Sequence, residues 1–249
     1  MSLTAIKDQF KLRAPTFDNS ARWVTDERLL DIHRKLAEIS NGDLILDVCC
    51  GTGIVGKRLS RTTATTVVGL DISPYMLCKA KEKGLKFCIN GQTERLPFLD
   101  DIFDVVVCRQ AFHFLVIERV IKEIFRVTKR GNGRIIISQI VPFGKEDSRW
   151  LYKIHRKKQP LLKGFLTENK IKGLLRNAGC VDIVSQEYLL EEPIDDWLKD
   201  AHLPKNGIEE VKKMFLHAPP AYKILHRTKV VGGKIFDTMR WVVIKGKKI

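Results

Sequence analysis

The 249-residue sequence has no long apolar run. Its apolar stretches, such as residues 135–137 and 241–244, are far shorter than the roughly 20 residues that a membrane-spanning helix needs. Its first residues also lack the apolar segment of a secretion signal. We therefore expect an intracellular, cytoplasmic protein.

The sequence lacks the cysteine spacing of a zinc or disulfide framework. Its six cysteines never occur as C-x-x-C, and no pair of histidines lies beside them at ligand spacing. A free cysteine within an apolar strand behaves as a small hydrophobic residue. We therefore expect no metal site, no disulfides and a reducing compartment. The cysteines are Cys49, Cys50, Cys78, Cys88, Cys108 and Cys180.

Acidic residues are in the minority, since 44 lysines and arginines against 29 aspartates and glutamates give a formal net charge of +15. With 44% hydrophobic and 29% charged residues, the composition excludes a disordered or fibrous chain. A basic surface is compatible with RNA, an anionic lipid or an acidic metabolite as partner. It is equally compatible with a basic face that is simply solvated.

From residue 44 onward, apolar runs alternate with helical patterns. This alternation is typical of a parallel sheet covered by helices on both faces. We predict an α/β fold, a three-layer Rossmann-like sheet that is mostly parallel, with helical inserts and an antiparallel or edge strand at 236–244. The other predicted strands are 44–48, 66–70, 86–89, 103–108, 134–140 and 180–190, and the predicted helices include 21–39, 116–128, 167–178 and 195–216, the last interrupted at Pro204.

A glycine-rich segment follows the first predicted strand. Gly51, Gly53 and Gly56 match G-x-G-x-x-G, and Asp71 ends the second predicted strand 20 residues after Gly51. This is the spacing of a dinucleotide-binding fingerprint, in which the acidic side chain binds ribose hydroxyls. Both a nicotinamide dinucleotide and S-adenosylmethionine carry such a ribose.

Asp47 discriminates between these two cofactors. It lies where the first strand enters the glycine turn, so its carboxylate is expected beneath that turn. A pyrophosphate placed there would be repelled, whereas the ammonium and sulfonium groups of S-adenosylmethionine would be attracted. The charge favours S-adenosylmethionine.

Several motifs in the same order carry a family resemblance. The sequence resembles the class I S-adenosylmethionine-dependent methyltransferases, and within them the subgroup that contains the ubiquinone- and menaquinone-biosynthesis enzymes. The resemblance covers about residues 40–140, and residues 10–18 are more loosely similar to the N-terminal cap of that subgroup. The matching segments are LDVCCGTG at 46–53, VGLDISPYM at 68–76, ERLPF at 94–98, FDVV at 103–106 and IFRVTKRG at 124–131.

The resemblance implies roles for matching residues. Asp47 would orient the loop and the methionine ammonium, while Gly51 and Gly53 would let the backbone approach the methionine moiety. Asp71 would bind both ribose hydroxyls, and Ile72 would lie on the adenine face.

Further positions complete the implied cofactor site. Gln92 and Thr93 would meet the adenine edge, and the backbone carbonyl of Arg109 would face the ammonium. The sequence departs from the family twice, since Cys49 replaces the first loop glycine and Gln92 replaces a frequent aspartate. The amide oxygen of Gln92 is still able to accept a hydrogen bond from adenine.

His113 is the candidate general base, because it follows the fourth strand and histidine has a pKa suited to accepting a proton. The alternative is an aromatic-flanked histidine that shapes the pocket. The Arg109 side chain is expected either to bind an anionic acceptor or to form a structural ion pair. The remaining histidines and tyrosines of the later segments are interpreted as scaffold, and Trp150 and Trp197 as packing or as the wall of an aromatic pocket.

The predicted organisation is a single domain over 1–249, divided into four parts. Residues 1–40 form a helical cap, 41–141 the cofactor-binding core, 142–166 and 191–230 acceptor-site inserts, and 167–190 with 231–249 the end of the sheet. The predicted reaction is O-, N- or C-methylation of a small molecule by in-line displacement. An RNA methyltransferase and a non-catalytic cofactor-binding partner protein are the alternatives. The oligomeric state is not predicted.

Overall fold

The computed structural model describes residues 3–61 and 64–249, which are organised around an eight-stranded sheet. The strand order is β3-β2-β1-β4-β5-β8-β6, with β7 paired to β8. Strands β1 to β5 are parallel to one another, and β8 is antiparallel to both β5 and β6. The strands are β1 Leu44–Val48, β2 Thr66–Asp71, β3 Phe87–Asn90, β4 Val105–Arg109, β5 Gly133–Ile140, β6 Val181–Pro193, β7 Lys229–Val231 and β8 Lys234–Lys248.

Helices cover both faces of the sheet. Neighbouring residues of β1 contribute to different cores, with Ile45 facing one and Leu46 the other. Since successive side chains of a strand point to opposite faces, both cores draw on the same apolar strands. The helices are α1 Leu3–Arg13, α2 Arg22–Thr25, α3 Glu27–Ala37, α4 Ile54–Leu59, α5 Pro74–Glu82, α6 Ile117–Val127, α7 Lys145–Lys158, α8 Glu168–Asn177, α9 Ile194–Leu198, α10 Lys205–Leu216 and α11 Pro220–His226, with short 3-10 helices at Phe17–Asn19 and Phe112–Phe114.

The register brings the ends of β1, β2 and β4 together. Asp47 is opposite both Gly69 of β2 and Val107 of β4. Ligands of open parallel sheets bind at the carboxyl ends of the strands, near the point where the strand order reverses. That point lies between β1 and β4, so the loops after these strands define the site.

The predicted fold class is confirmed. The seven predicted strands occur with ends shifted by up to four residues, and the helical break at Pro204 separates α9 from α10. The last strand is antiparallel as predicted, but the alternative that it lies at an edge is wrong, because β8 is inserted between β5 and β6. The predicted division into cap, core and inserts stays a prediction.

The sequence explains why the N-terminal helical segment is divided. The helix predicted over 21–39 is divided at Asp26, whose side chain accepts a hydrogen bond from the backbone of Leu29 at 2.7 Å and so begins α3. The insert segments form α7 and α9 to α11. Helices α9 to α11 pack against β8, and α7 packs against α10 and α11. Within the described residues, no helix has the length and apolar character to cross a membrane.

Candidate functional site

The glycine turn after β1 is closely packed. Gly53 has a φ of +77°, and a Cβ atom at this residue would lie 3.0 Å from the Cβ of Ala80 on α5. At Gly56, a Cβ atom would lie 2.9 Å from Val67. A side chain at either position therefore collides with the neighbouring elements, and Gly53 is also in a region that favours glycine. The glycine spacing is a requirement of this packing.

Asp47 lies beneath the turn, with only 1% of its surface exposed. Its Oδ2 accepts a hydrogen bond from the Gly56 backbone at 2.9 Å. Burial raises the pKa of Asp47 to about 7, against the effects of that hydrogen bond and of the Arg109 charge. A buried carboxylate of this kind favours a positively charged neighbour.

Asp71 connects the loops that follow β1 and β2. Its Oδ2 accepts a hydrogen bond from the Gly51 backbone at 2.9 Å, and its Oδ1 accepts one from the Ser73 backbone at 2.8 Å. Burial raises its pKa above the usual value, although these hydrogen bonds act in the opposite direction. Each carboxylate oxygen retains further acceptor capacity for a ligand hydroxyl.

Both carboxylates face one large cavity at the carboxyl ends of the strands, which we call the cofactor cavity. It contains about 1160 Å³ of unoccupied space, including its open mouth. Most of the predicted cofactor-binding residues line it, but Gly53 and the exposed Gln92 do not. The predicted residues that line the cavity are Asp47, Cys49, Gly51, Asp71, Ile72, Thr93 and Arg109.

Cys49 departs from the family glycine and takes up a glycine-like conformation. Its φ is +56°, a left-handed conformation that costs about 1–2 kcal/mol in a residue with a Cβ. Its Sγ lies 3.1 Å from the Oγ1 of Thr93, which joins the glycine turn to the loop after β3. The Cys49 side chain therefore holds the glycine turn and the loop after β3 together.

The Arg109 side chain is held by the protein backbone. Its guanidinium donates hydrogen bonds to the carbonyls of Trp23 and Val24 at 3.2–3.4 Å and lies 5.2 Å from the centre of the Trp23 ring. Burial lowers its pKa to about 10. The side chain thus fixes α2 over the sheet. An ion pair was one expectation for this side chain, and its hydrogen bonds are instead to backbone carbonyls.

The N-terminal segment supplies walls that the sequence motifs did not identify. Side chains of α1 and of the segment that follows it roof the cofactor cavity. The only sequence signal was the loose similarity of residues 10–18 to a family cap. The lining residues from this segment are Leu3, Ile6, Phe10, Phe17 and Trp23.

His113 lies in a second cavity that adjoins the first. This second cavity contains about 510 Å³ of unoccupied space and shares the walls Phe10, Phe17, Trp23, Gln110 and Phe114 with the cofactor cavity. The remaining walls are Arg13, Ser20, Ala21, His113, Ile140, His155, Lys158, Gln159, Leu162 and Trp197.

The histidine itself is buried, with 7% of its surface exposed, and its Nδ1 has no hydrogen-bond partner among the described residues. Burial, together with the charge of Arg13, lowers the pKa of His113 to about 3. The pKa of His113 in the structure is therefore well below the unperturbed histidine value assumed from the sequence. At neutral pH the ring is uncharged and is able to accept a hydrogen bond or a proton.

Other singled-out residues divide between packing and the second cavity. Trp197 lines the second cavity and stacks at an angle on His155 at 4.8 Å, whereas Trp150 donates to the Met214 carbonyl at 3.3 Å. Tyr222 is buried and donates to Asp237 at 3.0 Å, in keeping with a scaffold role.

Comparison with known proteins identifies the class. Residues 46–137 match the family model described as a methyltransferase domain. The sterol 24-C-methyltransferase ERG6 of Saccharomyces cerevisiae is 34% identical over 119 residues, which cover 45% of this chain and 31% of the relative. A demethylmenaquinone methyltransferase of Oceanobacillus iheyensis is 29% identical over 198 residues, which cover 74% of this chain and 72% of the relative. The chain spans well under half the length of two curated relatives, 41% of one and 31% of the other.

The fold has a close counterpart among solved structures. The crystal structure of YcgJ from Bacillus subtilis superposes with a TM-score of 0.80 at 22% sequence identity, covering 88% of this chain and 97% of that chain. The resemblance drawn from the sequence motifs is confirmed. Residues 46–137 are therefore a methyltransferase domain, and the chain has the fold of the S-adenosylmethionine-dependent methyltransferases.

Proposed function

We propose that the protein binds S-adenosylmethionine in the cofactor cavity and transfers its methyl group to a small molecule. The observation that carries this proposal is the pair of buried carboxylates, Asp47 and Asp71, facing the same cavity from neighbouring strands. Asp47 suits a cationic group, and Asp71 has free acceptor capacity for ribose hydroxyls. A pyrophosphate beside the same two carboxylates would be repelled, which disfavours a dinucleotide.

The shape of the loop supports the same ligand. A Cβ atom at Gly51 would approach only the Phe17 ring, at 4.0 Å, so this part of the turn faces the cavity and is free of close packing. In this proposal Gly51 and the half-buried Cys49 lie beside the methionine moiety, with the Arg109 backbone near its ammonium. Ile72 and Thr93 contact the adenine, and the exposed Gln92 side chain faces the outer edge of the adenine.

The chain's own residues would contribute binding, alignment and exclusion of water. When bound, S-adenosylmethionine supplies a methyl group on a positively charged sulfur, which an acceptor atom displaces. Such a reaction gains much of its rate from holding the two partners in line. The apolar roof of Leu3, Ile6 and Phe10 would exclude water from that space.

A small organic acceptor is supported by the two relatives described above, whose names refer to demethylmenaquinone and to a sterol. The aromatic walls shared by the two cavities suit a compound with an apolar body. RNA remains an alternative that rests on the net charge of +15 alone. A cytoplasmic location likewise stays a prediction from the sequence.

The test is calorimetric titration with S-adenosylhomocysteine and with NAD, followed by tritiated methyl transfer to a metabolite extract and to total RNA. We expect S-adenosylhomocysteine to bind and NAD not to bind. Asp71→Asn should weaken S-adenosylhomocysteine binding by about ten- to hundredfold, since hydrogen bonds to a charged group contribute about 1.5–3 kcal/mol. The exposed Asp100→Asn is the matched control. Preferential NAD binding would overturn the cofactor, and label in RNA alone would overturn the small acceptor.

A further inference from the structure

The second cavity has a polarity unlike that of the cofactor cavity. Arg13 and Lys158 line it, and no carboxylate within residues 3–61 and 64–249 does so. The cofactor cavity, in contrast, is lined by the carboxylates Asp47, Asp71 and Glu94 as well as by the cations Arg109 and Lys163. Of the two adjoining spaces, the second is therefore the one suited to a ligand with a negative charge.

The two cations have partners that leave them available. Arg13 donates from Nε to Asp200 at 2.9 Å, and no hydrogen bond of the described residues involves its two terminal nitrogens. Its guanidinium lies over the Phe10 and Phe17 rings, 5.7 and 5.2 Å from their centres. Stacking and the ion pair therefore orient the guanidinium while leaving its two terminal nitrogens, with four N–H donors, unused.

Lys158 is buried and donates a hydrogen bond to the backbone carbonyl of Trp197, with its Nζ 4.2 Å from the centre of the Trp197 ring. Burial, and after it the charge of Arg13, lowers the pKa of Lys158 well below its usual value. The nearby carboxylates, Asp200 and Glu192, do not line the cavity. Among the described residues, Arg13 and Lys158 are therefore the cationic groups that line the second cavity, and no carboxylate beside them lines it, so a bound anion would have both as partners.

Unpartnered polar atoms point to the same conclusion. The Ser20 hydroxyl, on a residue only 1% exposed, has no hydrogen-bond partner among the described residues, and neither has the Nδ1 of His113. Both residues line the second cavity. Buried polar groups are nearly always satisfied in folded proteins, so two unsatisfied groups in one cavity indicate a polar ligand.

Arg13 and Lys158 line the second cavity and do not line the cofactor cavity. The residues common to these two cavities are Phe10, Phe17, Trp23, Gln110 and Phe114, none of them charged. Arg13 and Lys158 also line a third, smaller cavity, which Asp200 lines as well and which shares no residue with the cofactor cavity. An acceptor bound in the second cavity would have its charged group at Arg13 and Lys158. Its reacting atom would lie towards the aromatic walls that this cavity shares with the cofactor cavity.

We propose that the second cavity binds the methyl acceptor, and that this acceptor is a flat aromatic acid whose carboxylate contacts Arg13 and Lys158. The aromatic walls take up the ring, since aromatic rings pack favourably against one another in tilted and edge-on arrangements. The nucleophilic atom lies at the opposite end of the ring from the carboxylate. This inference rests on the proposed function and names the class of its acceptor.

The probes are 4-hydroxybenzoate and its neutral isostere 4-hydroxybenzamide, titrated calorimetrically into protein saturated with S-adenosylhomocysteine. We expect the anion to bind at least tenfold more tightly than the amide. Lys158→Met, which keeps an apolar stem but removes the charge, should reduce this preference below threefold. Lys157→Met is the matched control, because Lys157 is half exposed and pairs with Glu210 outside the cavity. The affinity for S-adenosylhomocysteine should be unchanged in both variants. This unchanged affinity also shows that both variants fold.

The outcomes separate this inference from the proposed function. If the wild-type protein fails to bind S-adenosylhomocysteine, the proposed function fails. If S-adenosylhomocysteine binds but the acid and the amide bind equally, or neither binds, only the assignment of an aromatic acid is overturned. Should Lys158→Met not fold, Ser20→Ala provides a second variant, for which a threefold or greater loss of 4-hydroxybenzoate affinity is expected. An unchanged affinity in Ser20→Ala would count against the site.

Discussion

The Thr52 hydroxyl donates a hydrogen bond to the Asp18 carboxylate at 2.6 Å, joining the glycine turn to the segment that roofs the cofactor cavity. The other carboxylate oxygen of Asp18 pairs with Lys83, at the end of α5. A single side chain therefore holds the roof to two elements of the core. Cofactor binding and closure of the N-terminal segment should depend on each other.

Thr52→Val removes this hydrogen bond while keeping the volume of the side chain. Because a hydrogen bond to a charged group contributes about 1.5–3 kcal/mol, we expect faster tryptic cleavage at Lys7 and Lys11 and a several-fold loss of S-adenosylhomocysteine affinity. Limited proteolysis and calorimetry measure the two effects. Lys83→Met is the comparison, since it leaves the Thr52 contact intact and should have the smaller effect. Equal proteolysis of Thr52→Val and wild type would show that this contact does not hold the roof.

Asp47 should make cofactor binding dependent on pH. Burial raises its pKa to about 7, so the carboxyl is partly protonated at neutral pH in the free protein. The ammonium of S-adenosylhomocysteine favours the carboxylate, so affinity should rise as the pH increases from 6 to 8, with release of a proton on binding. Calorimetry in buffers of different ionisation enthalpy measures that proton. In Asp47→Asn the pH dependence should disappear, and a dependence that persists there would assign it to another group.

His113 should contribute to turnover and not to cofactor binding. It lines the second cavity, and its pKa of about 3 makes it uncharged but weakly basic at neutral pH. We expect His113→Ala to lower kcat by about 10²-fold, the lower end of the range for general acid–base catalysis, with unchanged S-adenosylhomocysteine affinity. A loss below tenfold would make it a residue that shapes the cavity. The same kinetic comparison on Phe114→Leu controls for changed packing.

Gly53 and Gly84 form a matched pair for testing the glycine turn. Both have left-handed φ values, +77° and +92°, but a Cβ atom meets Ala80 at 3.0 Å only from Gly53, while nothing lies within 4 Å at Gly84. Gly84→Ala should therefore cost the conformational term of about 1–2 kcal/mol, and Gly53→Ala should cost more. Urea unfolding measures both. Equal losses would show that Ala80 moves aside without cost.

His226 should make stability depend on pH. Burial alone would lower its pKa, but hydrogen bonds to Asp147 and Asp237 outweigh this and raise it to about 9. The histidine therefore stabilises the fold fully below pH 6.5, its unfolded value, and this stabilisation is lost as the pH rises through 9. This rise in the pKa of His226 corresponds to a stabilisation of the folded state of about 3 kcal/mol.

Urea unfolding at pH 6.5 and 9.5 checks this. The wild-type protein should lose free energy of unfolding between the two values, and His226→Gln should lose distinctly less. A pH dependence that is the same in the variant would assign the effect to other groups, for example to the lysines.

Local pattern was enough to predict the fold and the placement of two carboxylates at adjoining strand ends. Apolar runs that alternate with helices specify a parallel sheet, and the fixed spacing of Gly51, Gly53 and Asp71 places a turn and a carboxylate at adjoining strand ends. These features depend on short segments whose geometry is nearly the same in any sheet of this kind. The positions of Asp47 and Asp71 could therefore be anticipated.

Only the tertiary structure decided which distant residues meet and how burial changes them. Arg13, His113 and Lys158 come from separate parts of the chain, and nothing in their local sequence indicates a shared cavity. The placement of β8 between β5 and β6 was equally undetermined, because a strand's pattern shows which side is buried and not which strands are its neighbours. The pKa of His113 follows from the desolvation that this packing imposes, so the sequence identified the residue and the fold set its chemistry.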